Sequence, residues 1–432
     1  MIRFHGLILG VASSLALALP RPAAAESAPD SLPMRVPEAL RAPDAGIAPQ
    51  APASAAPVRR DSVRAEPEGP VDYLWVLRGS LRDRASVDSV VARAQRLGVR
   101  GLLAQVVGRG DACYRSDILP RAEFLPVARD SDGAPFDPLA ELIEQAHRSG
   151  LEVHAWVNCL LVWSAPQPPR DPRHVVNAHP EWIASLRDGR RMTALKPGAR
   201  QRLGVEGVFL SPAHPAVRAW IGSIAREIAS RYAVDGIHLD YIRDPSIEVG
   251  YDPTTRSRFA MDSGVDPARI DDLSSAERIR VEAMWQDFNR AQVTAVVQAV
   301  RDSLRDLGRP VQLSAAVVAD TVRAERANAQ SWRAWVRDGL LDRAFLMCYA
   351  ASIQTVMDQM ARFADELGAN ERVVPGIAMF NTAPLTAAFK IKGARALGFP
   401  SVALYSYDSL FGAHGYWDAL RSQLEPALEG NR

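Results

Sequence analysis

One aspartate stands where a predicted strand ends, in the segment from residue 234 to 245. The segment reads Val-Asp-Gly-Ile-His-Leu-Asp-Tyr-Ile-Arg-Asp-Pro, and its apolar run predicts a short buried strand, 236–239, that leads directly into Asp240. A charged side chain at this place lies on the open rim of a sheet, where parallel α/β enzymes keep their catalytic groups. Asp240 could instead cap the following turn or pair with Arg243, so the other strand ends have to be considered with it.

Polar and aromatic residues also gather at the ends of the other predicted strands. The candidates to bind substrate are Gln105, Arg109, Tyr114, His154, Trp156, Asn158, Arg243, Tyr349 and Tyr405. Aromatic faces stack on the C–H surfaces of sugars, whereas amides, arginines and carboxylates take the hydroxyl groups. This mixture therefore indicates carbohydrate chemistry at one rim.

Glycoside hydrolysis commonly needs two carboxyl groups, one to protonate the leaving oxygen and one to attack the anomeric carbon or activate water. Asp240 is the strongest candidate, either as the nucleophile or as the charge that stabilises an oxocarbenium-like transition state. Asp111, Asp320 and Asp408 follow other predicted strands and compete for the second role. Asp111 is our first choice as proton donor, because its Arg-Gly-Asp turn should lie close to the mouth. Each of the three could also be a simple turn or cap residue.

The sequence gives little support to other kinds of site. His154 and His238 alternate with apolar neighbours in predicted strands, so each could be a hydrogen-bonded core residue. His154 nevertheless shares a strand face with Trp156 and Asn158, where it could hold a sugar hydroxyl. No tight ligand spacing indicates a metal site, so neither a metal nor a cofactor is predicted. No Gly-x-Ser-x-Gly turn indicates a serine hydrolase.

The three cysteines are too few for a disulfide framework and are not spaced as metal ligands. Cys113 and Cys159 each follow a predicted strand on the same side of the sheet, so this pair could form a bridge. The equal alternative is that both of them, and Cys348, are inert thiols.

The elements that would position the candidate residues alternate along the chain from residue 71 onward. Short apolar runs, typical of parallel strands covered on both faces, alternate with amphipathic helical stretches about eight times. This rhythm predicts an α/β fold, a (β/α)8 TIM barrel with long loops after strands 2, 3 and 4. The chief rival is a doubly wound open sheet, but no glycine-rich phosphate fingerprint follows the first strand. In a barrel, all the strand ends named above would meet at one mouth.

The first 70 residues have a different character. Residues 7–19 form an apolar run too short to span a bilayer comfortably, and Ala23-Ala24-Ala25 offers small residues for cleavage. We therefore predict a signal peptide, 1–25, and an exported protein, periplasmic or extracellular, with an uncleaved anchor helix as the alternative. Residues 26–70 are rich in Ala and Pro, which predicts a disordered linker. The barrel domain would then span 71–432.

Charge and composition restrict the partners. The formal net charge is +1 and no basic run is present, so no nucleic acid partner is expected. No later segment is long and apolar enough to cross a membrane, so stable membrane insertion is not expected either. A polysaccharide or oligosaccharide is the expected partner, and the oligomeric state is left open.

Several segments together resemble the bacterial family 10 glycosylhydrolase group of glycosyl-hydrolase-like proteins. The segment 105–116, Gln-Val-Val-Gly-Arg-Gly-Asp-Ala-Cys-Tyr-Arg-Ser, is similar to the family's Gln-Val-Arg-x-x-Gly-Asp-Ala-x-Tyr-x-Ser run. The segment 150–158, Gly-Leu-Glu-Val-His-Ala-Trp-Val-Asn, resembles a second family signature. Further similar stretches are Asp137-Pro138-Leu139, Ala146-His147, His179-Pro180-Glu181-Trp182, Leu210-Ser211-Pro212, Pro215-Ala216-Val217-Arg218 and 235–245.

The resemblance covers nearly all of 71–425 and implies a TIM barrel that acts on glycans of the bacterial envelope, with peptidoglycan glycan strands as the substrate class. Two departures stand out. Many relatives read Asp-Asp-Tyr where this chain has Asp240-Tyr241-Ile242, and relatives often have Arg where Gly108 sits. Because one carboxylate remains at that strand, a catalytically silent barrel that binds envelope glycan is an alternative to a glycoside hydrolase. A hydrolase of an exported exopolysaccharide is a third reading.

Overall fold

A computed structural model describes residues 71–424, except 128, 131, 132 and 368–370. The predicted signal peptide, 1–25, and the predicted linker, 26–70, lie outside the described residues. The strands are β1 (Tyr73–Val76), β2 (Gly101–Val107), β3 (Glu152–Asn158), β4 (Leu161–Trp163), β5 (Val208–Phe209), β6 (Gly236–Asp240), β7 (Gln312–Val318), β8 (Arg343–Cys348), β9 (Val373–Ala378) and β10 (Ala403–Tyr405). The helices are α1 (Arg84–Leu97), α2 (Pro138–Arg148), α3 (Val175–Ala178), α4 (Pro197–Leu203), α5 (Pro215–Arg231), α6 (Pro253–Ser263), α7 (Ser275–Arg305), α8 (Thr321–Arg326), α9 (Trp332–Arg337), α10 (Ile353–Leu367), α11 (Pro384–Ala396), α12 (Tyr407–Gly412) and α13 (Tyr416–Leu424).

In the described chain, eight parallel strands close into a barrel with the order β1-β10-β9-β8-β7-β6-β3-β2. Helices lie between successive strands, which confirms the predicted (β/α)8 TIM barrel. The long loops follow β2, β3 and β6, the second, third and fourth barrel strands. The loop after β3, 159–214, contains β4 and β5, which pair with each other in an antiparallel ribbon outside the barrel.

Local sequence explains where the helices begin and end. The Asp83 and Asp137 carboxylates precede α1 and α2 and accept hydrogen bonds from the backbone N–H groups of Ser86 and Ala140. Helix α1 ends at Gly98, whose φ of +66° lies in the left-handed region that favours glycine. These caps fix the lengths of the helices that connect one barrel strand to the next.

Large rings fill the inside of the barrel. Trp75, Trp156 and Phe345 belong to one buried cluster, and the Trp75 indole N–H donates to Nε2 of His238 at 3.1 Å. A Cβ at Gly376 would lie only 2.8 Å from the Trp75 ring, so glycine is required where that indole crosses the barrel. The rings close the barrel beneath its mouth, as in other packed barrels of this type.

Candidate active site

Asp240 lies at the mouth of the barrel. It is the last residue of β6, and strand register places it directly beside Asn158, the last residue of β3. Asp240 is partly buried, whereas the four residues of β6 before it are fully buried. The strand end therefore presents one carboxylate to the mouth, as the sequence predicts.

The backbone after Asp240 turns abruptly. Tyr241 has a φ of +49°, a left-handed conformation that is uncommon for a residue with a side chain. In this conformation the backbone N–H of Tyr241 donates to Oδ1 of Asp240 at 2.7 Å. The turn therefore holds the carboxylate at the rim and leaves its second oxygen free of this contact.

The environment of Asp240 favours its protonated form. Burial raises the pKa of Asp240 to about 6, and the negative charge of Glu206 adds to this rise. The Tyr241 N–H, the Arg243 guanidinium and the Trp156 indole act in the opposite direction, because each of them stabilises the carboxylate. Burial prevails, so Asp240 can hold a proton at mildly acidic pH.

Three aromatic side chains line the mouth on the β8–β10 side. The rings of Tyr349 and Tyr405 lie 5.1 Å apart, and the Phe380 ring lies 6.1 Å from each of them. Burial raises the pKa of Tyr349 well above its usual range, and the neighbouring Tyr405 and the charge of Asp240 add to that rise. Both phenols therefore stay protonated at neutral pH and can donate to a sugar hydroxyl.

A second carboxylate reaches this region from the long loop after β3. Glu206 forms an ion pair with Arg243, with 2.6 Å between Oε1 and Nη2, and the guanidinium lies 5.2 Å from the Tyr241 ring. Its charge acts on Asp240, as described above. Sequence reasoning missed Glu206, since no motif marks this position between α4 and β5.

On the β1–β3 side, the predicted proton donor is bound to an arginine. Oδ1 of Asp111 lies 2.6 Å from Nη1 of Arg78 and accepts a second hydrogen bond, 2.9 Å, from the backbone N–H of Arg109. Both side chains of the ion pair are largely buried. Burial and the charge of Arg78 lower the pKa of Arg109. Asp111 therefore holds the loop after β2 against the turn after β1.

The predicted sugar-binding amides on this side are also engaged by the protein. The side-chain amide of Asn158 donates to the Gly108 carbonyl at 2.8 Å, and its Oδ1 accepts from the Trp156 indole at 2.9 Å. Gln105 lies 3.5 Å from both Oδ1 of Asn158 and the backbone N–H of Arg78. These residues therefore join the ends of three strands.

Gly108 lies against the side chain of Arg78. A Cβ at this position would lie 2.8 Å from Cδ of Arg78, so the Arg78 side chain occupies the space that a larger residue would need. Glycine at 108 therefore leaves room for the ion pair between Arg78 and Asp111.

Three predicted site residues lie away from this cluster. The Tyr114 hydroxyl donates to Glu227 of α5 at 3.1 Å, between the loop after β2 and an outer helix. His154 is buried four residues before the rim end of β3, and its Nε2 lies 3.3 Å from Oε2 of Glu152. Asp320 is exposed and caps α8, where it accepts from the backbone N–H of Arg323 at 3.0 Å. The structure brings none of the three together with Asp240.

Asp408, the remaining candidate carboxylate, connects the segment after β10 to the turn after β1. Its oxygens accept from the Leu77 backbone N–H at 2.9 Å and from the Ser80 hydroxyl at 2.6 Å. Burial raises its pKa. This contact fixes the turn after β1, which carries Arg78.

The three cysteines are buried free thiols. Burial raises the pKa of Cys113 to about 12 and that of Cys159 still further, so neither is a thiolate at neutral pH. Among the described residues, no group of three or more metal-ligating side chains occurs. Nor does any helix in this part of the chain reach the length and apolarity that a membrane span requires.

Comparison with known proteins places the chain in a family. A family model described as "Glycosyl hydrolase-like 10" matches residues 71–379, which include β1 to β9 and the Asp240 rim. The chain belongs to this family. The match confirms the resemblance that the sequence motifs indicated.

Curated proteins that are similar to the chain carry glycosyl hydrolase names. The chain is 27% identical over 291 residues to "Glycosyl hydrolase DigH" of Escherichia coli K12, a match that covers 61% of this chain and 57% of that protein. It is 26% identical over 148 residues to "Glycosyl hydrolase YngK" of Bacillus subtilis, covering 34% of this chain and 25% of the relative. The matches thus span little more than half the length of DigH and a quarter of the length of YngK.

Solved structures share the fold. The glycoside hydrolase domain of PgaB (BpsB) from Bordetella bronchiseptica aligns with a TM-score of 0.59 at 18% identity, covering 82% of this chain and 98% of that one. Alpha-L-fucosidase isoenzyme 2 from Paenibacillus thiaminolyticus aligns with a TM-score of 0.53 at 15% identity, covering 82% and 48%. At these identities the likeness concerns the barrel alone.

Proposed function

We propose that this protein is a glycoside hydrolase that cleaves O-glycosidic bonds in a bacterial envelope glycan, with peptidoglycan glycan strands as its substrate. The observation that carries the proposal is Asp240, a carboxyl group with a pKa raised to about 6 at the barrel mouth, beside two protonated tyrosines. Membership of a glycosyl hydrolase-like family supports the same reaction class.

Asp240 acts as the general acid in this proposal. A glycosidic oxygen cannot leave as an alkoxide at neutral pH, so a neighbouring acid must protonate it as the bond breaks. A carboxyl group with a pKa near 6 keeps a substantial protonated fraction near neutral pH, whereas an ordinary exposed aspartate is almost fully ionised there. From the sequence we expected Asp240 to be either the nucleophile or the charge that stabilises an oxocarbenium-like transition state, and its raised pKa favours the role of acid instead.

Glu206 is our candidate for the second carboxylate. It lies close enough to Asp240 for its charge to act on that group, and Arg243 holds it in place. In the proposed reaction Glu206 faces the opposite side of the sugar ring and either attacks the anomeric carbon or activates water. Asp111 is less suited to this chemistry, because its side chain is only 6% exposed and its Oδ1 accepts from both Arg78 and the Arg109 N–H, whereas the Glu206 side chain is 35% exposed.

The aromatic wall supplies the sugar contacts. Tyr349, Tyr405 and Phe380 present ring surfaces against which the C–H face of a sugar can pack, and the two hydroxyls can donate to the substrate. Trp156 and Asn158, with their polar groups already paired, position the rim rather than bind sugar directly. The substrate-binding side of the mouth is therefore formed by β6, β8 and β10.

Replacement of Asp240 by Asn tests the proposal. We expect the purified variant to release reducing ends from peptidoglycan glycan strands at least a hundredfold more slowly than the wild-type protein. Asp320→Asn is the matched control, because it makes the same change at an exposed rim position and asparagine also caps helices well. Equal activity of the two variants would remove Asp240 from the mechanism.

The substrate is tested separately. Wild-type protein is incubated with peptidoglycan strands and, in parallel, with a purified exopolysaccharide, and the products of both are analysed. Cleavage of the exopolysaccharide alone would support the hypothesis that the protein is a hydrolase of an exported exopolysaccharide. Binding of glycan without any released ends would support the silent barrel.

We also propose that the protein is exported, because a glycan of the envelope lies outside the cytoplasm. The leader-like residues 1–25 of the sequence support this location. N-terminal sequencing of the protein recovered from the native cells should begin at residue 26. A chain that retains its first residues and stays in the cytoplasm would contradict the proposal.

A further inference from the structure

A cavity of about 190 Å³ lies beside the mouth rather than in it. Its walls come from the loops after β3 and β6, the first half of α7 and the end of α8. They include Arg187, Asp244, Glu248, Tyr251, Glu282 and Trp285. Asp240, Tyr349 and Tyr405 do not line it. The cavity is therefore separate from the candidate active site, although Asp244 directly follows Arg243 in the chain.

Asp244 is a buried carboxyl group without a hydrogen-bond donor. The residue is only 8% exposed, and its backbone is fixed by two hydrogen bonds with Asn328. Within the part of the chain that the structure describes, no group donates to its side-chain oxygens. Burial and the nearby charge of Asp252 raise the pKa of Asp244 to about 7. Because Asp244 lines the cavity, its oxygens are available to a donor that enters there.

A second polar group in the wall is also incomplete. Nε of Arg187 is buried and meets no acceptor among the described residues, while its Nη1 pairs with Asp271 at 2.8 Å. The guanidinium lies 5.6 Å from the Tyr251 ring, and that ring lies 5.3 Å from Trp285. The cavity thus combines the acceptor oxygens of Asp244, to which no described group donates, with a wall of two rings.

These features together describe the chemistry of the missing partner. It donates to Asp244 and presents an apolar face to the rings, which is what the alternating hydroxyl and C–H groups of a sugar do. Four carboxyl groups line the cavity against two guanidinium groups, so its charge disfavours anions. A metal ion is a poor fit, since the described side chains form no cluster of three ligands.

We propose that this cavity is a second glycan site, which binds one neutral or positively charged sugar ring outside the catalytic mouth. The inference rests on the proposed function only in taking a glycan as the class of ligand. A glycan strand held at this site would be kept near the mouth while its other units are cleaved.

Fluorine NMR of protein labelled with 5-fluorotryptophan tests the site, in the Asp240→Asn background so that no cleavage occurs. The Trp285 resonance is assigned with Trp285→Phe, and the Trp156 resonance reports on the mouth. The probes are a β-1,4-linked N-acetylglucosamine tetramer, its de-N-acetylated form and an oligogalacturonate. We expect the first two to shift the Trp285 resonance saturably and the anionic probe to leave it unmoved.

Asp244→Asn added to this background should weaken binding at the Trp285 resonance at least fivefold and leave the Trp156 response unchanged. This variant should fold, because it removes an unpaired buried charge. Asp287→Asn is the control, since Asp287 lies on α7 with Trp285 but outside the cavity wall, and this variant should bind as the background protein does. An unmoved Trp285 resonance, equal affinity in Asp244→Asn, or equal binding of the oligogalacturonate would overturn the proposal. Failure of the wild-type protein to cleave glycan would contradict the proposed function and leave this binding test valid.

Discussion

The two sides of the barrel mouth use similar residues in opposite ways. On the β1–β3 side, Arg78, Asp111 and Asn158 satisfy one another or the backbone through hydrogen bonds. On the β6–β10 side, Asp240 keeps a carboxyl group whose pKa burial raises to about 6. Polar groups that are paired within the protein stabilise the rim, whereas a polar group whose charged form is poorly stabilised is available for chemistry. A polar motif at a strand end is therefore not in itself evidence of catalysis.

The comparison is tested most strongly by its two aspartates, and Asp240 should give the largest effect. Asp240→Asn is expected to lower kcat by about 10²–10⁴-fold. Because the folded pKa exceeds the unfolded value, ionised Asp240 destabilises the native state above pH 6, and this cost is absent below about pH 4. The variant should therefore gain about 1–3 kcal/mol in free energy of unfolding at pH 7 and little at pH 4. Urea denaturation at both pH values measures the difference.

Asp111→Asn should lower stability strongly and kcat only slightly, the reverse of Asp240→Asn. Removal of one partner leaves the Arg78 guanidinium buried without its counter-charge, so the free energy of unfolding should fall by about 3 kcal/mol. We expect kcat to fall less than tenfold in the protein that remains folded. Thermal denaturation and initial rates, measured on the same preparation, separate the two effects. A stable Asp111→Asn protein with no activity would restore Asp111 as the proton donor.

Glu206 sharpens the comparison through pH. If protonated Asp240 is the acid, kcat/KM should decline as pH rises through about 6. Glu206→Gln removes a negative charge that raises the pKa of Asp240, so the midpoint of this decline should move to lower pH. The variant should also lose about tenfold or more in kcat, because it lacks the second carboxylate. A pH–rate profile of the residual activity checks both expectations. An unchanged midpoint would show that the charge of Glu206 does not affect the pKa of Asp240.

The smallest effect is expected at the aromatic wall. Tyr349→Phe keeps the ring and its contact with Tyr405 but removes one hydroxyl donor. Loss of a single hydrogen bond of about 1 kcal/mol should lower kcat/KM about fivefold. Steady-state kinetics on a soluble glycan oligomer measures this. His154→Gln, beneath the rim, would be expected to alter stability rather than KM.

Most of the fold could be predicted from the sequence, because each strand–helix unit carries its own signals. Caps and glycines predict helices over 84–97 and 138–148, and apolar runs predict strands over 101–107, 343–348 and 373–378. The structure has these same bounds for α1, α2, β2, β8 and β9. The ribbon of β4 and β5 was not predicted. Its two short strands, separated by 44 residues, pair only through tertiary contacts.

The candidate site could be predicted only in part, for three physical reasons. Strand alternation correctly predicts that His154, Trp156 and Asn158 share a face, but each step of two residues descends nearly 7 Å, so His154 lies too deep to reach the mouth. Local sequence does not show that the loop after β2 packs Tyr114 against α5. Glu206 reaches Asp240 through the folding of a long loop, and no pattern around position 206 indicates that approach.

The rings packed across the barrel interior restrict how substrate can enter and how products can leave. Trp75, Trp156 and Phe345 fill the barrel beneath Asp240, so solvent and substrate share a single entrance. In the proposed reaction a long polymer therefore cannot thread through the barrel; it has to lie crosswise over the opening with both tails outside. Each fragment must then depart by the route along which the chain arrived.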